Sequence, residues 1–106
     1  MANFALFVRF TLRDGMGDAF DALVKETEVG IRAHEPGTLV YACHTVEGAP
    51  NERIFFEIYT DRAAFEEHER QPHTLRFLSE RTQYIEKTDV DWLEPYAGKY
   101  PDGTAK

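Results

Sequence analysis

Two histidines five residues apart, His68 and His73, follow a segment that carries a carboxylate and a phenol two positions apart, Glu57 and Tyr59. An imidazole can take or return a proton near neutral pH, and a carboxylate beside it can orient the ring or hold a hydroxyl group. Around these residues Ile54, Phe56 and Ile58 alternate with Phe55, Glu57 and Tyr59, the period of a strand buried on both faces except for one carboxylate. Thr60 or Asp61 can then cap a short helix that places Ala64, Phe65 and His68 on one face, and Pro72 suits the first turn of a second helix, where its missing N–H is not needed. His68 and His73 therefore flank a kink, and the spacing predicts a polar cluster over an apolar pocket. The other two histidines are less informative. His34 sits beside a helix end as a surface group or dipole partner, and His44 lies on a strand facing pocket or solvent. The four include no i,i+4 helical pair and Cys43 has no second thiol, so the pattern does not read as a metal site.

The elements that must position these groups can be read in order. Phe4, Leu6, Val8, Phe10 and Leu12 form one apolar face of a first strand, with Arg9 on the other. Arg13 to Gly17 is a turn in which Asp14 is a candidate helix cap. The paired glycines there are no dinucleotide loop, because Phe20 stands where a third glycine is needed. From Asp18 to Ala33 the set Phe20, Leu23, Val24, Thr27 and Ile31 predicts an amphipathic helix, with Asp21–Lys25 and Glu28–Arg32 as exposed pairs. Pro36-Gly37 ends it. Thr38 to Val46 is a second strand, Glu47 to Asn51 with Glu52 a hairpin loop, and Arg53 to Thr60 a third, antiparallel strand. In the following helix Leu75, Leu78, Thr82 and Ile85 form one stripe and His73, Phe77 and Tyr84 another; Val90 to Glu94 is a fourth, edge strand. The order β-α-β-β-α-β is that of a ferredoxin-like α+β fold with an antiparallel sheet. One domain, residues 1–96, accounts for it, and 97–106 reads as a mobile tail.

The chain has 106 residues and a formal net charge of −7, which argues against nucleic acid as a partner. The start, MANFALFVRFTLRDG, is broken by Arg9 and reads neither as a signal peptide nor as a membrane span. With a single cysteine, a reducing cytoplasmic compartment is expected.

Glu57, Tyr59, Asp61, Ala64, His68 and His73 form a Glu-x-Tyr-x-Asp-x-x-Ala-x-x-x-His-x-x-x-x-His pattern that resembles the signature of the antibiotic biosynthesis monooxygenase family, which includes quinol monooxygenases. Glu35-Pro36-Gly37-Thr38-Leu39-Val40-Tyr41 resembles that family's turn into its second strand, and the likeness extends from about Phe4 to Glu94. The resemblance implies oxygenation of an electron-rich phenol, quinol or anthrone by O₂ with no flavin, haem or metal, so no cofactor is expected. For that chemistry His68 or His73 is the expected base, since an imidazole titrates near working pH, with Arg9 stabilising the oxyanion and Glu57 fixing Arg9 or orienting an imidazole. Glu57 and Arg9 as a mutually satisfying buried pair is the structural alternative. Phe7, Tyr41, His44, Phe55, Tyr59 and Phe77 are expected to line the substrate pocket or the core. Haem-degrading relatives use an Asn, Trp and His set, from which this chain departs at Val8, His68 and Leu78.

The resemblance further implies a homodimer in which two sheets pack face to face as an α+β barrel. The strand parity expected here gives Leu6, Val8, Phe10, Ile54, Phe56 and Ile58 to the helix side, and Ala5, Phe7, Phe55 and Tyr59 to the second surface, with Arg9 and Glu57 on the pocket side. The remaining functional class is a non-catalytic or isomerase-like barrel protein that binds a small apolar ligand.

Overall fold

The computed structural model describes residues 3–100. The elements are β1 (Phe4–Leu12), α1 (Gly17–His34), β2 (Thr38–Val46), β3 (Ala49–Tyr59), α2 (Arg62–Arg70), α3 (Pro72–Glu80), a 3₁₀ turn at Arg81–Gln83 and β4 (Ile85–Leu93). The sheet is antiparallel throughout in the order β2-β3-β1-β4, the ferredoxin-like arrangement. Residues 94–100 follow β4 without regular secondary structure, and 101–106 of the expected tail lie outside the described residues.

Local chemistry accounts for most boundaries, with some corrections to the sequence reading. Asp61 caps α2 by accepting the Ala64 N–H at 2.8 Å, and Gln71 is extended before Pro72 opens α3, which makes the expected kink. Asp14 does not cap α1; its carboxylate accepts the Asn51 amide at 2.6 Å. Asp21 turns to Arg53 (2.8 Å) rather than along its helix to Lys25, while Glu28 and Arg32 do pair. The β2–β3 hairpin is tighter than expected, turning at Glu47-Gly48 with Gly48 at φ 78°, so β3 begins at Ala49. The helical stripe also does not run on to Ile85. After Glu80 the chain leaves through the 3₁₀ turn, β4 starts at Ile85, and the side chains α3 buries are Thr74 and Phe77 while Leu75 is exposed.

The core lies between the sheet and the helices. Leu6, Val8, Phe10 and Leu12 of β1 meet Phe20, Leu23 and Val24 of α1, Phe65 of α2 and Phe77 of α3. Phe10 is its centre, edge-on to Phe55 at 4.8 Å and tilted against Phe20 at 5.4 Å.

The β3 parity is the reverse of that expected. Leu6 is paired with Glu57, Val8 with Phe55 and Phe4 with Tyr59, and directly opposed residues share a face. Phe55, Glu57 and Tyr59 therefore lie under the helices. Ile54, Phe56 and Ile58 share the other face with Ala5, Phe7, Arg9, Val40, Ala42 and His44. Glu57 and Arg9 are on opposite sides of the sheet. Arg9 instead pairs with Glu52 at 3.0 Å.

Candidate active site

A cavity of about 250 Å³ opens between the sheet and α2–α3, lined by Tyr41, Phe55, Glu57, Phe65, His68, Thr74, Phe77, Arg81, Val90 and Trp92 among others. Its walls are aromatic, with a few convergent polar groups, the make-up of a small-molecule site. Of the residues singled out from sequence, the structure brings Glu57, His68, Tyr41, Phe55 and Phe77 to this cavity, with Tyr59 bonded to Glu57 just behind it. Arg9, Phe7 and His44 are on the opposite face, where His44 Nδ1 lies 3.1 Å from the Ile54 carbonyl. A larger groove of about 420 Å³ runs between α1 and β2 past Cys43 and His44, away from the corner histidines.

The residue that organises the site is Glu35. It is buried at the corner between α1 and β2, and one carboxylate oxygen lies 2.7 Å from His68 Nδ1 while the other is bonded by His73 Nε2. The Thr38 hydroxyl donates to it at 2.7 Å. Burial alone would push this carboxyl up, but the hydrogen bonds from His68, Thr38 and His73 hold it down to about 2. A carboxylate at Nδ1 fixes the imidazole tautomer with the proton on that nitrogen, which leaves Nε2 as the basic nitrogen of His68. His73 does not line the cavity; it grips the far oxygen of Glu35 and stacks on His34 with ring centroids 6.4 Å apart.

Two glycines let the helices approach closely enough for this. A Cβ on Gly30 of α1 would sit 2.5 Å from the His73 ring, and one on Gly37 would sit 2.7 Å from the Ala64 Cβ of α2. The Thr60 N–H also donates to the Gly37 carbonyl at 2.9 Å, tying the end of β3 to the same corner.

The second polar group is Glu57. Tyr59 donates its hydroxyl to it at 2.5 Å, and the carboxyl is 6% exposed as a residue. Burial pushes its pKa up, with the Tyr59 hydrogen bond and nearby His68 acting in the opposite sense. The phenols of Tyr41 and Tyr59 are also pushed up, first by burial and then by Glu57, so both remain protonated donors. The third is Arg81, on the 3₁₀ turn after α3, which sequence reading did not single out. Among the described residues no three His, Cys, Asp or Glu side chains are grouped as ligands for a metal ion. No helix among them is long and apolar enough to cross a membrane.

The fold has relatives among solved structures. The chain is similar to Rv0793 from Mycobacterium tuberculosis, 26% identical with a TM-score of 0.84 over 92% of this chain and 98% of that one. It is similar to PA3566 from Pseudomonas aeruginosa, 24% identical with a TM-score of 0.83 over 92% and 97%. A third solved structure, of an antibiotic biosynthesis monooxygenase, is 20% identical with a TM-score of 0.78 over 89% and 99%. No curated protein matches the chain significantly. The profile of one family, described as antibiotic biosynthesis monooxygenase, matches residues 3–80, a span that takes in β1, Glu35, Glu57 and both corner histidines. With that match over most of its length, and a fold shared with these structures, the chain belongs to the antibiotic biosynthesis monooxygenase family.

Proposed function

We propose that this protein is a cofactor-independent monooxygenase that oxidises a quinol or polyketide-like aromatic compound with O₂ in the cavity between the sheet and α2–α3. The observation that carries the reading is the Glu35–His68 pair: a buried carboxylate on Nδ1 of an imidazole whose ring lines an aromatic cavity. His68 Nε2 takes the proton of a bound hydroxyl, and Glu35 stabilises the imidazolium that forms. The resulting anion is electron-rich and gives one electron to O₂, leaving a substrate radical and superoxide. These combine at a ring carbon as a hydroperoxide, and loss of water leaves the hydroxylated quinone. One oxygen atom stays in the product and one leaves as water. The two electrons and two protons come from the substrate. Glu57, held by Tyr59, accepts or donates to the second hydroxyl of the quinol.

His73 is assigned a positioning role, because its contact is with Glu35 rather than with the cavity. The reading also takes two copies to pack through their open sheet faces, where Phe7, Ile54 and Phe56 are only half-buried in the single chain. The protein is taken to work in the cytoplasm.

The test is oxygen consumption by metal-free protein across a panel of hydroquinones and hydroxylated polycyclic aromatics. Turnover with one of them is expected, and His68→Gln should lower it by about 10²-fold or more. His73→Gln should cost less, about tenfold, since Gln still donates to Glu35. Ligand binding without oxygen uptake over the whole panel would leave the isomerase-like or binding-protein reading instead.

A further inference from the structure

Arg81 is a half-buried cation in the cavity wall, and its environment is unusual among the arginines of this chain. Arg9, Arg32, Arg53, Arg62, Arg70 and Arg76 each have a carboxylate in ion-pair contact. Arg13, in the β1–α1 turn, has none among the described residues and is exposed. Arg81 also has none among them, yet it is drawn in from solvent over two rings, its guanidinium carbon 5.5 Å from the centroid of Phe10 and 5.6 Å from that of Phe77. Ring faces offset part of the desolvation of a guanidinium, but they leave its N–H groups without acceptors.

The acidic groups nearby do not supply the missing partner. Glu57 is engaged by Tyr59, and its burial disfavours the charged form. Glu69 lines the same cavity but is exposed and out of ion-pair contact with Arg81. Burial pulls the Arg81 guanidinium down while Tyr41, Glu69 and Glu57 push it back up, as for a cation whose compensation is incomplete. The remaining polar lining, Thr27, Tyr41, His68, Thr74 and Thr88, carries no negative charge.

We infer that the ligand of this cavity is an aromatic compound that carries an anionic oxygen, a carboxylate or an already ionised phenol, and that Arg81 selects it. The inference rests on the cavity being the substrate site and narrows the substrate class within it. A guanidinium fork meets a carboxylate with two parallel N–H···O bonds, and Phe10 and Phe77 form the apolar surface on which the attached ring would lie. The site then has two polar ends. Arg81 holds the fixed charge, and His68 meets the hydroxyl whose proton is lost.

Calorimetric titration with two probes of the same shape, 2-naphthoate and 2-naphthamide, isolates the charge. Wild-type protein should bind the carboxylate at least about tenfold more tightly than the amide. Arg81→Met, which keeps the aliphatic stem over the rings, should bring that ratio to about one, and Arg81→Lys, which keeps the charge but loses the planar fork, should fall between the two. The ratio is insensitive to the fraction of each variant that is folded. A wild-type ratio near one, a ratio unchanged in Arg81→Met, or no binding of either probe overturns the inference. Oxygen uptake is read separately. Uptake with charge-blind binding defeats the Arg81 assignment alone, whereas a charge preference that depends on Arg81, without uptake from any hydroxylated aromatic, defeats the oxygenase reading and leaves an anion-binding cavity.

Discussion

Along β3, Phe55 and Phe56 are neighbours of identical chemistry that meet opposite surroundings. Phe55 is 2% exposed among Phe10, Phe20, Tyr41 and Phe77, whereas Phe56 is half-buried on a face that no helix covers. The charged groups divide the same way. Glu35 and Glu57 on the helix side are enclosed and bonded to buried partners, while Arg9 and Glu52 on the other side hold each other with solvent at both. In a medium of low effective dielectric a polar contact is stronger and its loss costs more. The contrast teaches that the helix side is where this chain can do chemistry, and the open side is where it can meet another copy.

The largest test of that contrast is the pair of phenylalanines. Phe55→Ala should cost about 3–5 kcal/mol, lowering the midpoint of thermal unfolding by more than about 12 °C. Phe56→Glu should leave a folded chain but turn the proposed homodimer into monomer by sedimentation at micromolar concentration, since a charge would be buried without a partner. If both variants merely unfold, or if the unaltered chain sediments as monomer, the open face has no such role.

Next comes acid stability. Glu35 titrates at about 2 in the folded chain against 4.5 as its ordinary value. Its carboxylate therefore stabilises the fold above pH 4.5, and that contribution disappears as pH falls toward 2. The full shift, reduced for partial solvent access at this corner, amounts to roughly 2 kcal/mol. Chemical denaturation at a series of pH values should show this loss in wild type, and Glu35→Gln should be less stable at neutral pH with a flatter profile in that window.

A smaller effect of opposite sign is expected for Glu57. Its raised pKa means that stability is present at low pH and is lost as pH rises through the folded value. Glu57→Gln keeps an acceptor for Tyr59 and should gain on wild type as pH goes from about 5 to about 8. A constant difference over that range would mean that burial does not disfavour this charge. Smallest of all, Arg9→Met should move the unfolding midpoint by no more than about 4 °C, as for an exposed pair. A fall in turnover beyond about tenfold in that variant would bring the open face into the chemistry.

The fold class and the order of elements were legible because β1 alternates cleanly, α1 has a continuous stripe, and Asp61 and Pro72 carry their own capping and turn chemistry. The faces of β3 were not. Ile54, Phe55, Phe56, Ile58 and Tyr59 are apolar on both sides of the strand, so alternation gives no sign of which set meets the helices, and the parity expected for this strand, with Glu57 on the side of Arg9, is the reverse of the one formed. Register was the missing information. Glu35 stood in the Glu-Pro-Gly turn without any mark of its role, because its contacts to His68 and His73 lie 33 and 38 residues away. The available signal was a carboxylate at a helix end with a threonine three residues on, in a chain with two histidines unaccounted for. Arg81 looked like one more helical arginine until the turn after α3 laid it across Phe10 and Phe77.

The bridge that Glu35 makes has a consequence for how the chain is assembled. Its two imidazole partners belong to the second half of the fold, and the carboxylate belongs to the first, with the whole β2–β3 hairpin between them. Contacts of that sequence separation are closed late, after local helices and the hairpin have formed, because the intervening loop entropy must first be overcome. A refolding chain can thus acquire its helices and its β2–β3 hairpin while His68 still lacks its carboxylate, and the proposed base is complete only as the two halves lock. Recovery of the proposed turnover during refolding should accordingly trail the return of helical signal, which makes activity a clock for the joining of the two halves.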